Sequence, residues 1–343
     1  MSTLTSGPTI ETADVRERVR RFQDVQSAIK REVGKVIVGQ EEVIEHVLIS
    51  LFVGGHCLLT GLPGTAKTLL VRTMARTLGL KFNRIQFTPD LMPSDITGTD
   101  IIEEDSTTGR RTWTFVPGPI FSNVLLADEI NRTPPKTQSA LLEAMQELSC
   151  TVRGHHYAID PPFFVLATQN PIELEGTYPL PEAQLDRFLF NTVLDYLSAE
   201  DELKVVDLTT TTKLPQADVI TNGEEILEFQ QLVRMTPIAE SVVQYAVDLV
   251  RATRPVPNGV SPEFIKKYVN FGASVRAVQF LALGGKARAL MHGRFHVSYD
   301  DIQALSVPIL RHRVLLNFHA ESDRVSSDEI VRRLLEALPA PRG

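Results

Sequence analysis

The chain has 343 residues, a length that suits two domains of ordinary size. Aliphatic, aromatic and cysteine residues make up 43% of it and charged residues 22%, which excludes a disordered or fibrous protein. The formal net charge of −7 lacks the positive field that non-specific nucleic-acid binding requires, so nucleic acid is not the expected partner.

The first 14 residues lack the apolar stretch of a signal peptide. One uncharged stretch, 47–66, approaches the length of a membrane span, but a histidine, a glycine pair and a Gly-Leu-Pro-Gly turn interrupt it. We interpret it as the end of a helix, a buried strand and a loop, and expect no membrane span. Cys57 and Cys150 lie in apolar stretches and cannot form a disulfide framework, which indicates a reducing, cytoplasmic compartment.

Short apolar runs alternate with helical patterns in the first part of the chain. Apolar residues recur every three or four positions from Val15 to Val33, which predicts an amphipathic helix ending at Gly34. Further helices are predicted over 40–53, 67–78 and 134–148. Buried strands are predicted over 57–60, 83–87, 124–127, 163–168 and 188–193. This alternation predicts an α/β fold, a parallel sheet with helices on both faces.

Two β-prone insertions interrupt that alternation, at 97–119 and 151–159, and each contains a hairpin-like turn. Beyond residue 197 only helical patterns follow, which predicts an all-α second region. Its helices are predicted over 199–208, 224–233, 239–253, 262–269, 275–291, 300–310 and 326–338. The predicted domains are an N-terminal extension and helix at 1–35, an α/β core at 36–197, a linker at 198–212 and a helical lid at 213–343.

A phosphate-binding loop is the strongest local signal. It follows the strand at 57–60 and opens a helix, so its backbone N–H groups and the helix N-terminus can surround phosphate oxygens. Lys67 can reach the β- and γ-phosphates, and the Thr68 hydroxyl can coordinate Mg²⁺. Ala66 replaces the usual second glycine, and we expect a negative φ there that tolerates its methyl group. The residues expected to bind the nucleotide in this segment are Gly61, Leu62, Pro63, Gly64, Thr65, Ala66, Lys67, Thr68 and Leu69.

Polar side chains follow two further strands. Asp128 and Glu129 end the strand at 124–127, and with a phosphate loop upstream they acquire distinct predicted roles. Asp128 would hold Mg²⁺, and Glu129 would orient or deprotonate the attacking water. Asn170 follows the next strand, where its amide can hydrogen-bond the water and the γ-phosphate.

The chain resembles the MoxR family of AAA+ ATPases over about residues 24–338. The motifs that carry the resemblance are the loop 61–68, Asp128-Glu-Ile-Asn-Arg132, the helix 135–147, Ala167-Thr-Gln-Asn-Pro171 and the run 175–188 that ends in Leu-Asp-Arg-Phe. This resemblance implies an AAA+ core with a helical lid, hydrolysis of ATP to ADP and phosphate with Mg²⁺, and a homo-oligomeric, hexameric ring. It also implies chaperone-like remodelling or maturation of partner proteins, notably those with von Willebrand A domains.

Several further residues receive roles from the resemblance alone. Asn170 matches the sensor 1 position, and Arg187 matches the arginine finger that a neighbouring subunit supplies, with a structural ion pair as the alternative. Arg276 matches sensor 2, which would contact the γ-phosphate in its own subunit, although Val275 replaces the proline that usually starts that helix. Val38 and Gly39 match the strip that packs on adenine. Arg132 is a second candidate for a contact between subunits.

The two insertions resemble the helix 2 insert and the pre-sensor 1 hairpin, which face the pore of such rings. Trp113, Tyr157 and Arg153 lie on or near them and could grip a partner chain, although packing against the sheet is the favoured interpretation of Trp113. Three alternative functions stay open: a DNA-translocating AAA+ motor, a magnesium-chelatase-like motor subunit, and a nucleotide switch without turnover.

Overall fold

A computed structural model describes residues 12–62, 64–104, 111–171, 176–212, 215–256 and 261–341. Its helices are Thr12–Gly34 (α1), Glu41–Val53 (α2), Lys67–Thr77 (α3), Pro93–Thr97 (α4), Pro135–Glu147 (α5), Glu182–Leu185 (α6), Ala199–Thr209 (α7), Gly223–Met235 (α8), Glu240–Ala252 (α9), Glu263–Tyr268 (α10), Val275–Met291 (α11), Tyr299–Leu310 (α12), Phe318–Ser322 (α13) and Ser327–Ala337 (α14). Its strands are Cys57–Gly61 (β1), Phe82–Gln86 (β2), Gly98–Glu104 (β3), Arg111–Pro117 (β4), Val124–Asp128 (β5), Ser149–Val152 (β6), His155–Ala158 (β7), Phe164–Gln169 (β8), Phe190–Leu194 (β9), Val269–Phe271 (β10) and Leu315–Leu316 (β11).

The core is a five-stranded parallel sheet in the order β2-β5-β8-β1-β9, which confirms the predicted fold class. Successive residues of its strands point into two different apolar clusters. On β5, Val124 and Leu126 join one cluster, whereas Leu125 and Ala127 join the other. A strand buried on both faces needs apolar residues at every position, and for this reason the central strands are unbroken apolar runs.

The order of the strands positions the predicted site. Parallel strands end at the same edge of a sheet, and the loops that follow β1, β5 and β8 therefore leave from one edge. Strand β8 lies between β5 and β1. The sheet thus brings Asn170, which follows β8, between the acidic end of β5 and the loop that follows β1.

Both insertions are antiparallel hairpins, β3 with β4 and β6 with β7, as predicted. The turn predicted at 105–109 lies outside the described residues. The first hairpin leaves the chain between β2 and β5, and the second lies between α5 and β8. Each hairpin is therefore inserted directly beside strands that carry the predicted acidic and amide residues.

The region beyond β9 is helical, as predicted, with two additions, the short helix α13 and one pair of strands. Several of its helices begin at a polar side chain that accepts a backbone N–H, including Ser274 before α11 and Ser326 before α14. Helix α10 ends one residue earlier than predicted, and Val269–Phe271 instead pairs with Leu315–Leu316 as a short antiparallel ribbon. The predicted linker contains α7, in which no residue is buried.

Within the described residues, no helix is both long and apolar enough to cross a membrane.

Candidate nucleotide-binding site

The phosphate loop joins β1 to α3, as predicted, and Pro63 lies outside the described residues. Gly61 packs so closely on β9 that a Cβ there would lie 2.8 Å from the Leu194 Cβ. The negative φ that we expected at Ala66 is wrong. Its φ is 58° and its ψ is 22°, which is the left-handed conformation. An L-residue pays roughly 1–2 kcal/mol for this conformation, and the loop accepts that strain where its backbone turns into α3.

Lys67 folds back over its own loop. Its Nζ donates to the carbonyl oxygens of Gly61 at 2.5 Å and Leu62 at 3.2 Å. Burial lowers the pKa of Lys67, and the charges of Asp128 and Glu129 oppose that shift, which places the amine within the field of both carboxylates. The amine therefore already lies at the loop that the phosphates would enter, beside the N-terminus of α3.

A cavity of about 410 Å³ lies beside the loop. The described residues that line it are Val36, Ile37, Val38, Gln40, Gly64, Thr65, Ala66, Leu69, Asp195, Tyr196, Leu197, Glu202, Val205, Val206, Leu208 and Thr209. Gly39 adjoins this wall with φ at 69°, and a Cβ there would lie 2.7 Å from the Asp201 carboxylate. The predicted residues Val38 and Leu69 thus share one mostly apolar cavity with the phosphate loop, as a nucleotide base requires.

Sequence reasoning missed the wall contributed by the end of β9 and by α7. Tyr196 is 76% exposed, and Val206 is also largely exposed. The sequence did carry a signal for this wall. Apolar residues occur on a helix that is otherwise polar, directly after the carboxyl end of a sheet strand.

Asp128 is buried and held from two sides. The Thr168 hydroxyl donates to its Oδ1 at 2.6 Å, and the Arg84 guanidinium donates to its Oδ2 at 2.7 and 3.1 Å. The same Thr168 oxygen accepts the backbone N–H of Glu129 at 2.8 Å. Thr168 therefore fixes both acidic residues relative to β8, a role that its position inside a predicted strand did not reveal.

Glu129 also adopts the left-handed conformation, with φ at 57° and ψ at 49°. Its Oε2 accepts from the Gln86 amide at 2.8 Å and lies 3.3 Å from the Arg132 guanidinium. Gln86 in turn accepts from Arg84 at 2.6 Å. Strand β2 thus orients both predicted acidic residues, and the strained backbone of Glu129 turns its side chain away from the line of β5.

The residues present fit a magnesium ion. Mg²⁺ prefers hard oxygen ligands and usually keeps several waters, so it needs few protein ligands. The Asp128 carboxylate and the half-buried Thr68 hydroxyl supply such oxygens, and Lys67 lies in the field of the same carboxylate. In the part of the chain that the structure describes, no group of three or more His, Cys, Asp or Glu residues forms another metal site.

Asn170 is buried at the carboxyl end of β8, next to the strand that ends at Asp128. Its position fits the predicted contact with a water or a γ-phosphate, since a buried amide has little freedom to turn elsewhere.

Arg187 lies away from this cavity. Its Nη1 donates to the Leu142 carbonyl of α5 at 2.5 Å, and it lines a separate cavity of about 270 Å³ between α5 and α6. The carboxylate of the preceding Asp186 binds other partners, Arg313 at 2.8 Å and Arg276 at 3.2 Å. The structure thus places the Arg187 side chain against α5 and not among the described residues that line the cavity beside the phosphate loop.

Arg276 is the second residue of α11, which starts at Val275 without the usual proline because the Ser274 side chain caps it by accepting the Arg276 N–H. No residue of α11 is among the described residues that line the cavity beside the phosphate loop. The structure therefore brings Arg276 together with Asp186, the neighbour of Arg187, through the ion pair at 3.2 Å.

The two hairpins hold each other through aromatic contacts. The Arg153 guanidinium lies 4.5 Å from the centre of the Trp113 ring, and the Phe115 and Tyr157 rings stack with centres 3.8 Å apart. Trp113 is 61% exposed, so the expectation that it packs against the sheet is wrong. Trp113 and Tyr157 instead join one hairpin to the other.

Comparisons with known proteins agree with this geometry. A family model described as the ATPase family associated with various cellular activities matches residues 56–190, and an AAA lid domain model matches 263–334. Chaperone MoxR1 of Mycobacterium tuberculosis is 43% identical over 91% of this chain and 81% of its own length. The chain belongs to the MoxR family of AAA+ ATPases.

Two further relatives extend the MoxR comparison over the whole chain. Protein MoxR of Methylorubrum extorquens is 32% identical over 99% of this chain and all of its own length. The crystal structure of a candidate ATPase from Cytophaga hutchinsonii is 42% identical, with a TM-score of 0.89 over 97% of this chain and all of that one. The AAA+ core and helical lid are therefore the fold of a MoxR protein.

Proposed function

We propose that the protein hydrolyses ATP to ADP and phosphate at the loop after β1. The observation that carries this proposal is the convergence of three elements at one sheet edge: the loop with Lys67, the acidic end of β5, and Asn170 after β8. Lys67 binds the β- and γ-phosphates, and the apolar cavity beside Val38 and Leu69 receives the base.

The chemistry divides among a few side chains. Mg²⁺, held by Asp128 and Thr68, would offset the phosphate charge. Glu129 orients the attacking water and accepts its proton, and Asn170 hydrogen-bonds that water. Gln86 keeps the Glu129 carboxylate in place, at 2.8 Å, until the water arrives.

We further propose a homo-oligomeric, hexameric ring in which Arg187 of one subunit reaches the nucleotide of the next. Arg187 lines a surface cavity of its own and not the nucleotide cavity, which supports a role towards a neighbour. An arginine supplied between subunits neutralises charge on the transferring phosphoryl group and makes hydrolysis depend on assembly. Arg276 pairs with Asp186, the residue before Arg187, and its proposed contact is with the γ-phosphate of its own subunit.

The ring would remodel or mature partner proteins in the cytoplasm, with proteins bearing von Willebrand A domains as the proposed clients. The relative from Mycobacterium tuberculosis is named a chaperone, and the paired hairpins present exposed apolar residues, including Trp113 and Ile102. Both cysteines are buried free thiols, which suits a reducing compartment. The division into a core at 36–197, a linker at 198–212 and a lid at 213–343 remains part of this proposal.

The charges on the hairpins disfavour a DNA-translocating motor. Arg111 pairs with Glu104 at 2.9 Å, and Arg153 lies over Trp113 and 4.0 Å from Asp100. Basic side chains engaged by carboxylates offer phosphates little net charge. A magnesium-chelatase-like motor would share this ATP site, so the identity of the client decides between the two.

Phosphate release measured with and without Mg²⁺ tests the proposal. We expect Mg²⁺-dependent turnover by the wild-type protein and a loss of about 10²–10⁴-fold in Glu129→Gln, since a positioned base contributes that much. ATP binding should persist in Glu129→Gln, and the exposed Glu228→Gln on α8 should match wild type. A wild-type protein that binds ATP without turnover at high concentration would leave the nucleotide switch as the function.

A purified von Willebrand A domain protein tests the client. We expect Glu129→Gln with ATP to form a stable complex with it in size-exclusion chromatography, whereas Lys67→Ala, which cannot bind ATP productively, should not. If both variants formed the complex equally well, client binding would not depend on ATP. That result would contradict the proposal that ATP hydrolysis drives remodelling of the client.

A further inference from the structure

Three consecutive residues at the end of α12 form a polar seam with the backbone that leads into β9. We call Arg311, His312 and Arg313 the lid seam. Arg313 donates to the carbonyl oxygens of Asp186 at 2.8 Å and Phe188 at 2.6 Å, and the His312 Nε2 lies 3.2 Å from the Phe188 oxygen. The lid seam thus grips the segment that carries Arg187 from both sides of that residue.

Arg313 is the centre of this seam. Its side chain is 1% exposed, and it also donates to the Leu189 carbonyl at 3.3 Å and to the Asp186 carboxylate at 2.8 Å. Burial lowers the pKa of Arg313 to about 10, against the pull of Asp186, so the guanidinium stays charged at neutral pH. A planar guanidinium with donors in fixed directions fixes the acceptors around it, here the backbone on either side of Arg187.

The seam also reaches the phosphate loop. Arg311 donates to the Asn191 carbonyl at 3.0 Å, and the Asn191 side chain accepts from Thr60 at 2.8 Å, one residue before Gly61. On the other side, Asp186 ties the segment to Arg276 of α11. The lid is therefore bonded to both ends of the segment 186–191.

We propose that Arg313 is a positioning residue for Arg187: it holds the 186–189 backbone so that the Arg187 side chain is presented to the neighbouring subunit in one geometry set by the lid. This inference rests on the proposed role of Arg187. A side chain that acts across the boundary between subunits needs a backbone that is held in place, because a displacement of about 1 Å in a catalytic constellation can cost about 100-fold in rate.

The variant Arg313→Lys tests the proposal, since lysine keeps the charge and loses the planar set of donors. We expect kcat to fall by about 10- to 100-fold, as for a misplaced catalytic group, while KM for ATP stays within about twofold. The matched control is Arg294→Lys, which alters another lid arginine pair, with Asp301, that does not touch the core. Arg294→Lys should keep the wild-type kcat. A comparable loss of kcat in Arg294→Lys would show that the Arg313→Lys loss comes from general destabilisation of the lid, and would overturn the proposal.

Mixed assemblies decide on which side of the boundary Arg313 acts. Arg313→Lys mixed with Lys67→Ala should regain turnover, because some sites then combine an intact loop with an intact Arg187 segment. Arg313→Lys mixed with Arg187→Ala should stay inactive. The reverse pattern would place Arg313 in its own nucleotide site and overturn the proposal.

Failure of the inference and failure of the proposed function give different results. If Arg187→Ala alone keeps full turnover, the role of Arg187 falls and the inference falls with it. If Arg187→Ala is inactive and Arg313→Lys is fully active, only the inference is overturned. Should Arg313→Lys fail to fold, Asp186→Asn, which removes the carboxylate charge that both Arg313 and Arg276 contact, must show the same mixing pattern or the inference is overturned.

Discussion

Two carboxylates, the buried Asp128 at the end of β5 and the half-buried Asp186 before β9, are each held by arginine and hydroxyl groups, yet the two surroundings differ. Asp128 accepts from Arg84, whose side chain is 46% exposed, and from Thr168. Asp186 accepts from Arg276, whose side chain is 40% exposed, and at a shorter distance from Arg313, whose side chain is 1% exposed. An exposed cation can leave its partner at little cost, whereas a buried one cannot.

This difference in exposure suits two different tasks. The Asp128–Arg84 contact can be exchanged for another, whereas the Asp186–Arg313 contact holds a fixed arrangement. At Asp128, Arg84 occupies a carboxylate oxygen that a magnesium ion would need, so this contact has to be replaceable. At Asp186, the same Arg313 guanidinium also donates to backbone carbonyls of the 186–189 segment, so its departure would leave several acceptors unpaired at once. In the account proposed above, the first site would do chemistry and the second would hold Arg187 of the same subunit in position.

The largest expected effect is on the free energy of unfolding, and it should differ between Arg313 and Arg84. Arg313→Gln should lower the free energy of unfolding by about 3–5 kcal/mol, because it leaves buried acceptors without their cation. Arg84→Gln should cost less than about 1 kcal/mol, as for exposed pairs. Urea denaturation monitored by circular dichroism measures both, and similar losses would break the distinction between the two sites.

Asp128→Asn should lower turnover by about 10²–10³-fold, the scale of removing one preorganised electrostatic contact. The enhancement of ATP binding by Mg²⁺ should vanish with it, since an amide is a poor ligand for that ion. Titration of ATP at several Mg²⁺ concentrations checks this, with the exposed Asp300→Asn as control. Retained Mg²⁺ dependence in Asp128→Asn would place the ion elsewhere.

Thr168→Val should cost about 1–3 kcal/mol of stability, because it leaves the buried Asp128 oxygen and the Glu129 N–H without their partner. Turnover should fall as well, since the Asp128 side chain and the Glu129 backbone both lose their support from β8. Thr168→Ser keeps the hydroxyl and should restore most of both quantities. Equal behaviour of the valine and serine variants would show that the hydroxyl is dispensable.

The smallest effect concerns pH at the lid seam. Burial and the adjacent charge of Arg313 hold the pKa of His312 well below its ordinary value of 6.5. As pH falls below 6.5 the unfolded chain binds a proton that the folded chain refuses, so this histidine lowers the free energy of unfolding by about 1.4 kcal/mol per pH unit.

His312→Gln should therefore reduce the slope of stability against pH below 6.5, and the exposed His296→Gln should not. The slope that remains belongs in part to His46 and His56, whose pKa values burial lowers to about 4. An unchanged slope in His312→Gln would mean that the seam opens and admits the proton before the protein unfolds.

Much of the fold followed from local patterns, because buried strands and amphipathic helices are periodic in sequence. Helix α11 was predicted at Val275–Met291, its exact extent, and the five core strands within one or two residues. The motif residues Lys67 and Asp128 could be proposed from the sequence because their chemistry demands a fixed spacing within short segments.

The contacts that support the site were missed because they join distant parts of the chain. Thr168 lies 40 residues from Asp128, and Arg313 lies 127 residues from Asp186, so no local pattern connects them. The backbone at Ala66 was predicted wrongly for a related reason. Its left-handed conformation is imposed by the turn between β1 and α3, which outweighs the ordinary preference of alanine.

A structure of Glu129→Gln bound to ATP and Mg²⁺ tests the central claim most directly. We expect the phosphates at Lys67, the ion on Thr68 and Asp128, and Arg187 of an adjacent subunit at the γ-phosphate, released from the Leu142 carbonyl. A nucleotide outside the cavity beside Val38, or an Arg187 that stays on Leu142 in every subunit of an assembled ring, would contradict the account.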